Sequence, residues 1–554
     1  MFRDLSNIRL SWLVGIALLL ATVFVTPYNT LDPINVSKLW ILTIFAFAIL
    51  ALILQKPQLF FTKENRFITF ATMTLPISMI ITILNTSAPL SQQLFGTYGR
   101  NTGFINYLCL SIFFLAIAIG SNQTIKKPFL FSIVGSILLN CSYGIIQAIG
   151  KDWISWSNPY SPVFGTLGNP DFLSAFLGFS ASFCFGYLFS RESSTNIRIL
   201  SGISIPIIVF VIYKTQALQG FLVLALVFAI VLYFELINHF NSKVIKVAYI
   251  SIFWITSVIA VAGSLQKGPL ADLLYRSSVT QRGDYWHAGI RMLWRQPFTG
   301  VGLDSYGDWY RFFRTSAAAE RFNGSVVSNS AHNVFIDIAA TSGLLAIFAY
   351  FAMILLALFA SWKVFKSSSK SDPFFISVFA GWMGYLAQSA ISINNIGLGI
   401  WGWAFPGLLI AMSRWQHEEI VDQNIKKSAQ KNNIDFSGMF MTGGLVAGFA
   451  IGFIPFNADA NFRHALETGN PDTIYLAATK WPTDSSRMLY AAKIFESNKV
   501  IDKAESIARA SLKQNPRSFE NWQFLYGLST TSGNEKTEIL SKLKALDPNN
   551  KNIM

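Results

Sequence analysis

Long apolar blocks separated by short polar turns fill the first three quarters of the chain. Each block is roughly 16–28 residues, the length a helix needs to cross a hydrocarbon core ~30 Å thick. The pattern predicts about thirteen spans. They begin near Leu10, Ser37, Phe67, Phe104, Pro128, Phe172, Ile199, Gly220, Val247, Val334, Phe374, Leu398 and Met439, with the seventh and eighth nearly fused. The first block ends in Pro27, Tyr28 and Asn29 rather than in a small-residue cleavage site, and reads as a retained span. Residues 263–331 interrupt the pattern with a polar stretch too long for a connector, which predicts helices and a function of its own.

After Phe456 the pattern becomes that of water-exposed helices. Helical apolar spacing recurs over 460–466, 474–481, 486–495, 501–514, 519–530 and 536–546. Small residues (Ala491, Ala492, Ala504, Ala508, Ala510) and boundary prolines (Pro482, Pro516, Pro548) predict stacked helix pairs. This tail resembles tetratricopeptide repeats, most clearly around 502–515. It is expected to fold as a separate unit that either binds a protein partner or caps the membrane domain. Four regions follow: an N-terminal bundle (1–262), the long loop (263–331), further spans (332–457) and the helical tail (458–554).

Composition fixes the class as an all-α polytopic membrane protein. Hydrophobic residues make up 52% and charged residues 13%, against about a quarter charged in soluble domains. Charge sets the orientation. With a cytoplasmic amino terminus, the inner loops hold Arg3, Arg9, Lys56, Lys63, Arg66, Lys126, Lys127, Arg191, Arg198, Lys243 and Lys246. Further along they hold Lys363, Lys366, Lys370, Arg414, Lys426, Lys427 and Lys431. The short outer loops hold only Lys38, Arg100, Lys151 and Lys214. A bias of roughly eighteen to four is the positive-inside pattern. An odd span count then puts the long loop and the tail on the outer face. The bias also accounts for much of the +14 net charge, so no nucleic-acid partner is expected. Cys109, Cys141 and Cys184 fall within predicted spans, at spacings that fit neither a zinc site nor a disulfide framework.

Candidate chemistry gathers in and after the long loop. His332 stands where the polar stretch enters an apolar helix, a titratable group at a water–membrane junction. Arg282, Arg291 and Arg295 share one predicted helix, which Pro297 stops before the tight turn Gly300, Val301, Gly302. Arg291 and Arg295 lie on one face and Arg282 roughly opposite. A guanidinium suits a diphosphate because its planar fork donates paired hydrogen bonds and stays charged. The interface is the other home for these arginines, beside lipid phosphates or Asp284 and Asp304. Trp153, Trp156, Tyr160, Trp286, Trp294, Tyr306 and Trp309 read first as interfacial anchors. Asn169 and Asp171 read as caps of the following span, and Asp337 must face protein or water. His287 and His239 read as solvated or interfacial.

Three blocks resemble the O-antigen ligase and O-antigen polymerase family of membrane glycosyltransferases. They are Arg282 to Trp286 with Pro297 to Gly302, then His332 and Asn333 with Ile336 and Gly343, and more weakly Gly165 to Asp171. With the span layout, the resemblance covers about 10–412. It implies transfer of an oligosaccharide from an undecaprenyl-diphosphate carrier to a glycan, lipid or protein acceptor, at the outer face of a bacterial cytoplasmic membrane. It implies that His332 activates the acceptor hydroxyl and that Arg282 holds the diphosphate. Arg291, Arg100, Lys214, Gln219 and Asn333 are the candidate substrate-binding residues. Family members commonly carry a further arginine where this chain reads Lys214 to Gly220, which leaves Lys214, Gln219 or Arg100 to supply its function. A glutamate common before the glycine is replaced by Thr341 and Ser342. No metal or cofactor is expected, since the outer loops lack a carboxylate cluster. Ligase, polymerase and protein oligosaccharyltransferase stay open. A lipid-linked sugar transporter or a non-catalytic envelope scaffold is the rival class, disfavoured by the few midspan charges and the one-sided polar chemistry.

Overall fold

A computed structural model describes residues 2–156, 163–240, 242–321, 326–367, 371–415 and 437–553, with side chains from residue 7 onward. Tyr160, Lys370, Lys426, Lys427, Lys431 and the side chain of Arg3 lie outside this description. The described residues are helical with no strand. All thirteen apolar blocks form helices. In chain order the N-terminal bundle contains α1 (Phe2–Val23), α2 (Asn35–Ile53), α3 (Arg66–Asn85), the short α4 (Leu90–Phe95), α5 (Phe104–Gly120), α6 (Lys126–Ala148), α7 (Pro170–Phe189), α8 (Thr195–Thr215), α9 (Leu218–His239) and α10 (Lys243–Ser264). The long loop forms α11 (Ala271–Leu274), α12 (Ser277–Arg295), α13 (Tyr306–Phe313) and α14 (Ser316–Glu320). Then come α15 (Val334–Phe365), α16 (Pro373–Ser389), α17 (Ile396–Met412) and α18 (Ser437–Thr468).

Nine of these are long and apolar enough to cross a membrane, and Asn7–Val23, Phe104–Gly120 and Ile396–Met412 are shorter apolar helices. With α16 they account for every predicted span, and the protein is a multi-pass membrane protein. The nearly fused seventh and eighth blocks part at Gln216, where φ is +58°. Helices α5 and α17 are almost wholly buried and form the centre of the bundle, whereas α10 buries only Gly263 and stands off it. Helix α18 closes on α2 through Gly444, Gly448 and Gly452, four residues apart. A Cβ on any of them would strike the α2 backbone or Thr43. Small residues at this spacing let two backbones approach where water supplies no driving force.

Helix α15 is not one span. It breaks at Gly343, with φ +79° and ψ −177°. The turn after α12 inserts there. Leu344 N–H donates to Pro297 O at 2.7 Å, Val301 N–H to Ala340 O at 2.9 Å and Gly302 N–H to Thr341 O at 3.2 Å. The backbone groups released by the break are thereby partnered, as burial requires. Thr82 of α3 donates to Thr299 O at 2.9 Å and fixes the splice from the other side. Only glycine fits at 300 and 343: both have positive φ, and a Cβ on either would strike the opposite strand of the splice. Asp337, expected inside a span, therefore sits in a short helix on the loop side of the break.

The tail continues as α19 (Pro471–Thr479), α20 (Ser485–Ser497), α21 (Ile501–Gln514), α22 (Phe519–Gly527) and α23 (Gly533–Leu546). Ala491, Ala492, Ala504 and Ala508 are buried as expected at the contact of α20 with α21. The expected boundary at 457/458 falls inside α18, which carries the chain unbroken from the bundle into the tail. The tail is also bonded into the loop end of the bundle. Leu31 and Asp32 N–H donate to Asp459 Oδ2 at 2.7 and 3.0 Å, and Tyr98 N–H donates to Asp484 Oδ2 at 3.0 Å. Arg314 of the long loop forms a bidentate pair with Asp547, both fully buried. Arg517 stacks over Trp309, 3.4 Å from its ring centre.

Candidate functional site

His332 occupies a left-handed bend, φ +49°, between the long loop and α15. A left-handed bend is uncommon outside glycine and needs fixing. Ser330 Oγ accepts from His332 N–H at 3.2 Å. Next to it Asn333 caps the helix, its Oδ1 accepting from Phe335 and Ile336 N–H at 3.0 and 3.1 Å. Asn333 Nδ2 donates to Ala390 O at 2.9 Å, which ties the bend to the end of α16. The imidazole lies 5.3 Å from the Tyr285 ring centre at 32°. Its nitrogens have no hydrogen-bond partner among the described residues, and the side chain is half-buried. Burial first, then the positive charges of Arg282 and Arg100, push its pKa down to about 4. At neutral pH the ring is an uncharged base.

Arg282 faces this bend from α12. Burial lowers its pKa, and Asp171 and Tyr285 oppose that shift. Among the described residues it makes one long hydrogen bond, 3.4 Å, to Ser278 Oγ, and its Nε is buried without a partner. Asp171 is held at the first turn of α7, where Asn169 Oδ1 caps the helix by accepting from Asp171 N–H at 2.8 Å. The capping role expected of the two thus belongs to Asn169, and Asp171 is left to face Arg282.

Arg100 lies beneath the bend and is 7% exposed. It bonds Asn329 O, and its Nη2 is 3.9 Å from both Asp304 Oδ1 and Asp337 Oδ2. Each carboxylate also holds backbone. Asp337 Oδ1 accepts from Ala331 N–H at 3.0 Å, and Asp304 Oδ2 accepts from Thr97 N–H at 2.7 Å. Arg100 is therefore a neutralised strut joining the loop before α5 to the segment that carries His332. Asp337 reaches this segment by folding back over its own helix start, so sharing a helix face with His332 is not required.

The remaining candidates separate. Arg291 points away from Arg282, is exposed, and donates to Phe313 O at 3.1 Å, so it fastens the loop to itself. Arg295 is exposed at the end of α12. Lys214 lies over Phe210 of its own helix, 5.6 Å from the ring centre. No described bond connects it to His332 or Arg282. Asn333 is engaged by the cap and by Ala390, so neither end of its carboxamide is free. Gln219 is buried, and both polar atoms lack partners among the described residues. Trp309 sits under Arg517, Trp156 donates to Tyr143, and Tyr306 is in the loop's own core. His287 is exposed, and His239, bonded to Glu235 O, lies at the far end of α9. Asp304 is met by Arg100 rather than by the arginines of α12, and Asp337 faces protein as expected, whereas the amide of Gln388 on α16 carries no signal in the sequence. Two carboxylates flanking an outer arginine in composition give no hint that they meet.

A family model described as O-antigen ligase matches residues 174–351. The match contains Gln219, Arg282, His332 and the splice at Gly343, and ends before α16. No curated protein matches the chain. Across residues 174–351, about a third of its length, this multi-pass membrane protein is similar to the O-antigen ligase family.

Proposed function

We propose that the chain is a metal-independent transferase. It moves an oligosaccharide from an undecaprenyl-diphosphate carrier to a hydroxyl of a glycan, lipid or protein acceptor, on the outer face of a bacterial cytoplasmic membrane. The observation that carries this reading is the unpartnered, neutral imidazole of His332 in a fixed bend that Arg282 faces. In the reaction the acceptor oxygen attacks the anomeric carbon, and the bond from that carbon to the phosphate oxygen breaks. Its electron pair leaves with the polyprenyl diphosphate, and His332 takes the proton of the acceptor hydroxyl. Arg282, charged and short of partners, receives the diphosphate and stabilises the charge it gains. A bound diphosphate also offsets the field of Arg282, so the site becomes more basic when the donor is in place. Arg100, already balanced by Asp304 and Asp337, positions rather than binds.

The sidedness is supported by the cations at the other end of the bundle. There Lys126 pairs with Asp372 at 2.8 Å, and Arg198 donates to Ser190 O. Ligase, polymerase and protein oligosaccharyltransferase share this donor chemistry and differ in acceptor. The test uses the purified full chain in nanodiscs with chelator and a defined polyprenyl-diphosphate oligosaccharide. Acceptor-dependent release of polyprenyl diphosphate is expected. A transporter or scaffold would release none, and that result would overturn the proposal.

A further inference from the structure

Three carboxamides at the His332 end of the bundle are buried with hydrogen-bonding capacity left over among the described residues: Asn106 of α5, and Gln219 and Gln388, which come together on neighbouring helices. Gln219 on α9 is 6% exposed, and neither its Nε2 nor its Oε1 has a partner among the described residues. Gln388 on α16 is 2% exposed, and its Nε2 is equally alone. The two amides do not bond each other. Buried polar groups are almost always satisfied, because leaving one unpaired opposes folding. Two such groups near one site ask for a ligand.

Their position follows from how three helices cross. Ser174 of α7 packs against Gly220 of α9, so closely that a Cβ on Gly220 would lie 2.5 Å from that of Ser174. Gly384 of α16 lies against the same pair of helices, and its Cβ would meet Val227 at 2.8 Å, Phe179 at 3.0 Å and Val223 at 3.2 Å, which sets it between Val223 and Val227 along α9. One helical turn toward His332 from Val223 is Gln219, and one turn in the same direction from Gly384 is Gln388. Gln219 thus stands at the level of Ser174, and Gln388 within about one turn of it. Ser174 Oγ donates to Asp171 O at 3.0 Å, and the Asp171 side chain faces Arg282. On the other side, two residues beyond Gln388, Ala390 O receives the Asn333 side chain beside His332. Both amides are thus at the same ends of their helices as the residues that meet Arg282 and Asn333.

Their chemistry selects among the parts of a donor. A carboxamide presents a donor and an acceptor together. A diphosphate at neutral pH offers acceptors almost alone and would leave the Gln219 carbonyl unpaired. A prenyl chain offers neither. A sugar hydroxyl or acetamido group offers both. We infer that Gln219 and Gln388 form a neutral subsite for the sugar directly joined to the diphosphate, next to the arginine that holds the diphosphate itself. This rests on the donor proposed above.

The test compares two ligands on the full chain in nanodiscs: polyprenyl diphosphate bearing one N-acetylated sugar, and the same lipid without sugar. Gln219→Met and Gln388→Met remove the amide at similar volume. Each is expected to weaken binding of the sugar-bearing lipid at least tenfold and to leave the sugar-free lipid within twofold. Thermal stability of the ligand-free protein should stay level or rise, since an unsatisfied amide is gone. Should a thioether disturb packing, Gln219→Leu and Gln388→Leu serve the same comparison. Equal weakening for both lipids, or no change for either, overturns the subsite and leaves the donor reading standing. Wild-type protein that binds neither lipid removes the donor reading, and the subsite with it.

Discussion

Asp547→Ala removes the partner of Arg314 and separates a docked tail from a detachable one. Both side chains are fully buried, joined by Nε to Oδ1 at 3.0 Å and by Nη2 to Oδ2. Arg311 stands 3.6 Å from the same carboxylate, and the Arg314 carbonyl accepts from Asn549 Nδ2 at 2.7 Å. Without Asp547 a buried guanidinium loses its bidentate carboxylate and keeps a 3.3 Å contact to the Val326 carbonyl, which carries no charge to balance it. Stranding one member of a buried pair costs about 3–5 kcal/mol, roughly two to three and a half orders of magnitude in the opening equilibrium. The surface pair of Lys551 with Glu320 offsets little of this. The assay is hydrogen exchange by mass spectrometry in nanodiscs. Protection should fall together in α13 and α14 of the loop and in α22 and α23 of the tail, with α5 and α17 unaffected. Combining Arg314→Met with Asp547→Leu should restore most of it, because apolar replacement of a whole buried pair is commonly neutral or better. If Asp547→Ala leaves α13 and α14 as protected as wild type, the pair does not hold the loop and the tail is a separate unit after all.

The remaining predictions concern the site and its frame. The acid limb of kcat/KM should fall near pH 4, not near the ordinary histidine value, because His332 must be neutral to accept a proton and its pKa lies at about 4. Arg282→Gln removes one of the charges that depress it, so the limb should move up while the rate falls; a limb that stays put would show that Arg282 does not act on His332. A lost charge-assisted contact to the diphosphate should lower the rate by about 10²–10³-fold, with only partial recovery in Arg282→Lys. Gly343→Ala places a Cβ against the Phe298 carbonyl at a positive φ. It should open the splice, seen as faster exchange over 297–302, and reduce transfer without loss of the bundle. A reporter fused after Gly469 should read outside the cytoplasm; a cytoplasmic signal would reverse the assigned faces.

Helix number and type were legible because apolar length alone identifies a span, and all thirteen blocks became helices. His332 stands out in the sequence as a titratable group where a polar stretch enters an apolar helix, whereas Arg282 sits among other polar residues and is singled out only by the resemblance; the role of each is a proposal. What was hidden is non-local. Nothing near Gly343 announces that residues 297–302 will fill a break in α15, although glycines at 300, 302 and 343 were all visible. The pairing of Arg100 with Asp304 and Asp337 joins segments some two hundred residues apart in sequence, so the sequence by itself presents Arg100 only as an outer-loop cation. The tail looked self-contained because its charge is nearly balanced. The partner of Asp547 lies in another region, and a balanced sequence cannot display it. Asn333 showed the opposite limit: as a helix cap it was predictable from position, yet the resemblance drew it toward substrate.

Transfer from a defined lipid-linked donor by wild type and His332→Ala, at matched protein and with insertion checked, tests the central claim most directly. The imidazole makes no hydrogen bond that the fold depends on among the described residues, so the variant should insert and assemble as wild type does. Its transfer should fall to background while binding of the sugar-free polyprenyl diphosphate, held by Arg282, persists. Equal rates for the two proteins would show that His332 takes no proton, and the mechanism proposed for this site would be contradicted.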